Sequence, residues 1–267
     1  MTKKHRRILL LTEGRLGPFT SKTAASLLRY RPDDIVGLLD SAAAGEDIRK
    51  RIPWSPAVPI VATLDDAERL GPDSLFIGVA PVGGQAPAAM RVHIAEALER
   101  GIDVVSGLHE RLVDDRELAQ LATVGGAKIV DVRRPPDNLP VASARARQTH
   151  CRRILTVGSD CNVGKMVAAL ELARAAERRG LKTVFLATGQ TGIMISGRGI
   201  AIDAVVSDFA AGAIESLVLA DAEADVCVIE GQGSITHPGF SGVTLSLLHG
   251  SCPDAMILVH HAGRERY

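Results

Sequence analysis

Gly158-Ser159-Asp160-Cys161-Asn162-Val163-Gly164-Lys165 follows an apolar run, Arg153 to Val157, and precedes an alanine-rich stretch, Met166 to Arg179, that Gly180 ends. Strand, loop, Gly-Lys and helix in this order mark a phosphate-binding loop. Such a loop leaves successive backbone N–H groups unpaired at the positive end of a helix dipole, so it holds an anion without a dedicated cationic pocket. Lys165 adds a full charge. The segment departs from the G-x-x-x-x-G-K-[ST] pattern twice. Ser159 stands at the first glycine position, with Gly158 one residue earlier, and Met166 replaces the Ser or Thr that would ligate Mg²⁺ beside nucleotide phosphates. Residues 158 to 166 therefore read as a cradle for a phosphate-bearing ligand, with cleavage of a nucleoside triphosphate disfavoured.

Downstream, Thr183 to Ala187, Val226 to Ile229 and Ala255 to Val259 are apolar throughout, as strands buried on both faces must be. Helical patterns over Ala204 to Ala220 and Val243 to His249 separate them. Upstream, the same alternation runs through Ile8 to Leu11, Ile35 to Leu39, Ser74 to Val79, Ile102 to Val105 and Lys128 to Val132, with helical patterns at Ser21 to Tyr30 and Ala88 to Arg100. Alternating strands and helices predict parallel sheets covered by helices. The prolines of Arg133-Arg134-Pro135-Pro136-Asp137-Asn138-Leu139-Pro140 forbid a regular element, and a linker is expected from there to about His150. The expected fold is α/β: an N-terminal Rossmann-like parallel-sheet domain (1–140) followed by a C-terminal P-loop-type doubly wound parallel-sheet domain (151–267). The last strand is followed closely by Tyr267, an awkward place for a doubly wound sheet to end, so the second domain is expected to lack C-terminal elements.

Thirty-one basic and 31 acidic side chains cancel, which leaves no net field to draw the chain onto nucleic acid or an anionic membrane. No apolar run approaches the roughly 20 residues of a membrane span, and MTKKHRRILLLTEG reads as a first strand because Glu13 interrupts it. Cys151, Cys161, Cys227 and Cys252 show no CxxC spacing. A cytoplasmic protein with reduced thiols is expected.

Loops at the carboxyl ends of parallel strands gather on one edge, where ligands bind. Besides the phosphate loop, that edge would carry Thr188-Gly189-Gln190-Thr191-Gly192, Glu230-Gly231-Gln232-Gly233-Ser234 and His260-His261. Glu230 ends a buried strand among glycines and suits either a base or a metal ligand. His237 is a candidate proton shuttle, Asp203 and Asp208 lie near a helix start, and the thiolate of Cys161 would be favoured in the anion loop. In the first domain, Glu13-Gly14-Arg15-Leu16-Gly17 lacks the G-x-G-x-x-G spacing, which argues against NAD. Asp40 fits a ribose-binding carboxylate weakly, and Pro81-Val82-Gly83-Gly84 reads as a turn.

Two resemblances enter at these residues. The phosphate loop and Val228-Ile229-Glu230-Gly231-Gln232-Gly233 resemble dethiobiotin synthetase and its relatives. Over nearly the whole chain, the sequence is similar to the family that includes D-glutamate N-acetyltransferase. That similarity is carried by Lys22-Thr23-Ala24, Ile77-Gly78-Val79-Ala80-Pro81, Ser106-Gly107-Leu108-His109, Asp131-Val132-Arg133, Gly164-Lys165-Met166, Ala187 to Gly192, Asp203 to Phe209, and Glu230-Gly231-Gln232-Gly233 through Gly242.

The second resemblance implies acetyl transfer from acetyl-CoA to the amino group of D-glutamate or a related D-amino acid. Coenzyme A would rest on Gly158, Ser159, Asp160, Cys161, Asn162, Val163, Gly164, Lys165 and Met166, with Gln190 and Thr191 beside it and no metal. The base is expected to be Glu230 first, then Asp208 or His237. Glycine loops at 189 to 192 or 231 to 233 would donate to an oxyanion, and Arg15, Arg145 or Arg198 would grip carboxylates. The expected partners are a small amino-acid substrate and further copies of the chain in a homo-oligomer. The alternatives are a P-loop enzyme using ATP with Mg, like dethiobiotin synthetase, and a non-catalytic nucleotide-binding module.

Overall fold

The computed structural model describes residues 5–263. The chain divides into two compact units, Met1–Arg133 and Arg134–Tyr267. In the first, β1 (Ile8–Leu11), β2 (Ile35–Leu39), β3 (Ile60–Val61), β4 (Ser74–Ile77), β5 (Asp103–Ser106) and β6 (Ile129–Asp131) form one parallel sheet in the order β3-β2-β1-β4-β5-β6. This is the doubly wound order of a Rossmann-like domain, with its switch point between β1 and β4. Its helices are α1 (Lys22–Tyr30), α2 (Leu64–Glu68), α3 (Ala88–Glu99) and α4 (Arg116–Gly125). Leu9, Leu11, Leu75, Ile77 and Val104 pack with Ile94 and Leu98 of α3 into its core. Sequence patterning missed β3 because two residues carry no period, and it missed α4 although Asp115 caps the N–H groups of Glu117 and Leu118 and left-handed Gly126 ends the helix.

The second unit contains β7 (Arg152–Gly158), α5 (Lys165–Arg178), β8 (Thr183–Leu186), α6 (Gln190–Ser196), α7 (Ser207–Ala220), β9 (Val226–Ile229), α8 (Ser241–Ser251) and β10 (Ala255–Val259). Its sheet is parallel, in the order β10-β7-β9-β8. Strand β9 shows why these runs are apolar without alternation. Cys227 and Ile229 face a core built with Ile214 and Val218 of α7 and Leu247 of α8, whereas Val226 and Val228 face Ala169 and Ala173 of α5. Helices thus cover both faces, and each large side chain fully buried there contributes about 1.5–3 kcal/mol. Strand β10 departs from this expectation. It lies at the sheet edge beside β7, and Met256, Ile257 and Leu258 are 50%, 38% and 59% exposed.

Residues 141–150, expected as linker, fold against the second unit. The carboxylate of Glu215 on α7 is fully buried and accepts the N–H groups of Ser143 (3.3 Å) and Arg145 (2.6 Å), with the Arg145 guanidinium at 3.2 Å. Gly212, one turn earlier, lets the chain pass so close that a Cβ there would lie 1.7 Å from the carbonyl oxygen of Pro140. Removing the carboxylate loses these charge-assisted hydrogen bonds, each contributing about 1.5–3 kcal/mol, and leaves a cavity in place of the buried side chain. Glu215→Ala is therefore expected to lower the urea midpoint of the second unit by an amount equivalent to ~2–4 kcal/mol at unchanged m, read by equilibrium denaturation.

Candidate functional site

The phosphate loop runs from the end of β7 to the start of α5. Asn162 (φ 55°) and Gly164 (φ 103°) are left-handed and turn the loop into the helix. Among the described residues, no backbone hydrogen bond is donated by Asn162, Val163, Gly164 or Met166. Lys165 is 6% exposed and its Nζ donates to the carbonyl of Asp160 at 2.8 Å. Gly158 is required beneath it, since a Cβ there would lie 2.8 Å from that Nζ and 2.7 Å from the Asp160 carbonyl. Ser159 replaces glycine without closing the cradle, because its hydroxyl bonds Nδ1 of His260 at 2.8 Å while its N–H donates to Val259 of β10. The Asp160 carboxylate accepts the N–H of Cys161, which leaves it occupied within the loop.

Glu230, at the end of β9, sits one strand away. Its Oε2 accepts the N–H groups of Thr188 (2.9 Å) and Gly189 (3.1 Å), and no described group donates to Oε1. The side chain is 4% exposed. Burial pushes its pKa up to about 7, opposed by the two amides and by the charge of Lys165 and reinforced by Asp203. The surroundings leave no slack. A Cβ on Gly192 would lie 2.2 Å from Oε2, and one on Gly231 would lie 1.6 Å from the carbonyl oxygen of Thr156. The Thr156 hydroxyl accepts the Gly231 N–H, the Thr188 hydroxyl donates to the Glu230 carbonyl, and the Gln232 amide donates to the Thr188 carbonyl. Sequence reading named Glu230 but not Thr156, Thr188 and Gln232 as its supports, because a supporting hydroxyl carries no spacing signal.

The other candidates fall differently. Gln190 and Thr191 open α6, half-buried, immediately after the amides that bind Glu230. Asp208 is exposed in the first turn of α7, and His237 is exposed and accepts the Gly239 N–H on Nδ1. Arg145 is paired with Glu215 and Arg198 with Asp221, so two of the three suggested clamps are committed elsewhere, and the third, Arg15, is exposed in the first unit. The N–H groups of Gly189 and Gly231 are taken as well, whereas those of Gln232 and Gly233 donate to no described group. In the first unit, Asp40 is fully buried and accepts the Thr12 hydroxyl and the Gly14 N–H, so it shapes the β1 loop and presents nothing to a ribose. Cys151, Cys161, Cys227 and Cys252 are not joined in disulfides. Among the described residues no group of three His, Cys, Asp or Glu side chains is arranged to hold a metal, and no helix is long and apolar enough to cross a membrane.

Fold and site define a two-unit α/β protein, Rossmann-like in its first unit and built on a P-loop in its second. The chain belongs to the DUF1611 family. A Rossmann-like domain described as a domain of unknown function (DUF1611_N) matches residues 41–135, and its P-loop counterpart (DUF1611_C) matches residues 140–267. A D-glutamate N-acetyltransferase of Tritonibacter scottomollicae is 40% identical over 244 residues, 91% of this chain and 70% of that protein. A protein of the same name from Pseudoalteromonas sp. is 42% identical over 199 residues, 74% of this chain and 59% of that one. The crystal structure of a DUF1611 family protein from Anabaena variabilis matches with a TM-score of 0.91 at 44% identity, covering 97% of this chain and 75% of the other.

The raised pKa of Glu230 has a thermodynamic consequence. Unfolded, the carboxyl titrates near 4.5, and folded near 7. Folding therefore disfavours its ionised form, at no cost below pH 4.5, at increasing cost between 4.5 and 7, and at a constant cost of ~3 kcal/mol above that. Glu230→Gln is expected to raise Tm by several degrees at pH 8 and to leave it unchanged at pH 4, measured by calorimetry at both.

Proposed function

We propose that the protein is an N-acetyltransferase moving an acetyl group from acetyl-CoA to the amino group of D-glutamate or a related D-amino acid. The observation that carries this reading is the half-held carboxylate of Glu230, together with the two similar proteins that bear the name D-glutamate N-acetyltransferase. An amine attacks a thioester only after losing its proton, and a base titrating near 7 is poised to take it at neutral pH. Oε2 is fixed by two amides, so the carboxyl keeps its orientation, and Oε1 remains to accept the proton.

The amine nitrogen then bonds to the thioester carbonyl carbon, the carbonyl oxygen carries the negative charge of the tetrahedral intermediate, and the C–S bond breaks. The sulfur leaves with its electron pair and takes a proton, giving free coenzyme A and the N-acetyl amino acid. The open N–H groups of Gln232 and Gly233 are the donors left to stabilise the oxyanion. Met166 supplies no hydroxyl for a Mg²⁺ ion, which weighs against the alternative of an ATP-dependent ligase. Both substrates carry anions, the phosphates of one and the carboxylates of the other, and residues 158 to 166 are suited to hold one of them.

Incubating the protein with acetyl-CoA and a panel of D- and L-amino acids is expected to give thiol release that depends on D-glutamate. Release independent of any amine, or ATP hydrolysis in its place, would sink the reading. Glu230→Gln is expected to lower kcat about 100- to 10,000-fold. In the unaltered protein kcat/KM should rise with pH through about 7, because the base works ionised.

A further inference from the structure

We propose that the loop of residues 158 to 166 binds a carboxylate of the amino-acid acceptor, and not a phosphate of the acyl donor. The inference rests on the acetyl-transfer reading and assigns the anion that this reading leaves open. It starts from the proximity of two features. The amides of Asn162, Val163, Gly164 and Met166, which donate to no described backbone group, lie beyond the end of β7. Glu230 lies at the end of the neighbouring β9, whose following loop bonds the start of the phosphate loop through the Ile235 N–H on the Gly158 carbonyl and the Ser234 hydroxyl on the Ser159 carbonyl.

A general base must come within about 2.6–3.2 Å of the proton it takes. In coenzyme A the thioester sulfur is separated from the nearest phosphate by the pantetheine arm, roughly 15 Å when extended. A phosphate in the loop would therefore set the reacting carbon an arm's length from Glu230 and place a dianion against a buried carboxylate. An amino-acid carboxylate in the same loop has the opposite effect. In the α-position it is attached to the carbon that bears the amine, so fixing it holds the nitrogen at the same sheet edge as Glu230, with no long arm between the anchored anion and the reacting atom. The acyl donor would then approach from the solvent side, with its phosphates outside the loop.

Charge supports the same assignment. Nucleotide phosphates in such loops are neutralised by Lys together with Mg²⁺, and the hydroxyl that would ligate the ion is replaced here by Met166. A single carboxylate carries less charge, which the amides and the Lys165 ammonium, whose Nζ also donates to the carbonyl of Asp160, suffice to balance without a metal ion. The paired state of Arg145 and Arg198 removes two other carboxylate clamps from the second unit.

Calorimetric titration separates the possibilities. D-glutamate and, separately, coenzyme A are titrated into the unaltered protein and into Lys165→Ala and Lys165→Arg, each also with the other ligand present at saturation (desulfo-coenzyme A for the donor). Lys165→Ala is expected to weaken D-glutamate at least tenfold and to change coenzyme A less than twofold, with partial recovery in Lys165→Arg. Inorganic phosphate, used on the unaltered protein so that no variant need fold, is expected to compete with D-glutamate and not with coenzyme A. Loss of coenzyme A affinity in Lys165→Ala, phosphate competition with coenzyme A, or no binding of D-glutamate under any condition overturns the assignment. Thiol release by the unaltered protein is scored separately. Release combined with coenzyme A in the loop overturns this inference alone, and absence of release with D-glutamate in the loop overturns the acetyl-transfer reading alone.

Discussion

A carboxylate that folding removes from water, and then only half satisfies, organises the second unit. Glu230 can be buried because the amides of Thr188 and Gly189 meet one of its oxygens. Those amides are in place because β8 and β9 run parallel in register, Leu186 beside Ile229, so that both strands end at one level. An isolated buried charge would cost many kcal/mol, and two amide donors offset only part of that. The remainder appears as a pKa near neutrality, so the cost of burial is also the source of a base at physiological pH.

The glycines around this carboxyl follow from that constraint. Gly192 and Gly231 occur where any side chain would strike the Glu230 carboxyl or the backbone of β7, so their absence of a Cβ is a packing requirement. The threonines and Gln232 then tie three strand ends together. Thr156 fixes Gly231 to β7, Thr188 fixes the carbonyl of Glu230, and Thr244 of α8 donates to the carbonyl of Gln232. The phosphate loop is pinned similarly, by Ser234 on the carbonyl of Ser159 and by His260 on its hydroxyl. Cradle and base are therefore rigid with respect to one another, as a site that positions two reacting groups requires.

The N-terminal unit shows the limit of motif reasoning. Gly14 and Asp40 invite a nucleotide reading, yet the geometry closes it, since Asp40 is consumed by Thr12 and Gly14 within the fold. A carboxylate at the end of a second strand has two uses that sequence does not distinguish, holding a ribose or folding the preceding loop. Only its burial and partners decide between them.

The sequence by itself determined the alternation of strands and helices, the two parallel sheets, the anion loop and the candidacy of Glu230. Those features are written in local periodicity and in short spacings, which adjacent residues set. Tertiary structure alone decided that β10 lies at an edge, that residues 141–150 fold onto α7 through Glu215, that Arg145 and Arg198 are engaged elsewhere, and that no described residue donates to Oε1 of Glu230. Each of these depends on which residues meet across dozens of positions in the chain. Burial, and with it the protonation behaviour of a carboxyl, belongs to the packed assembly and not to any stretch of residues.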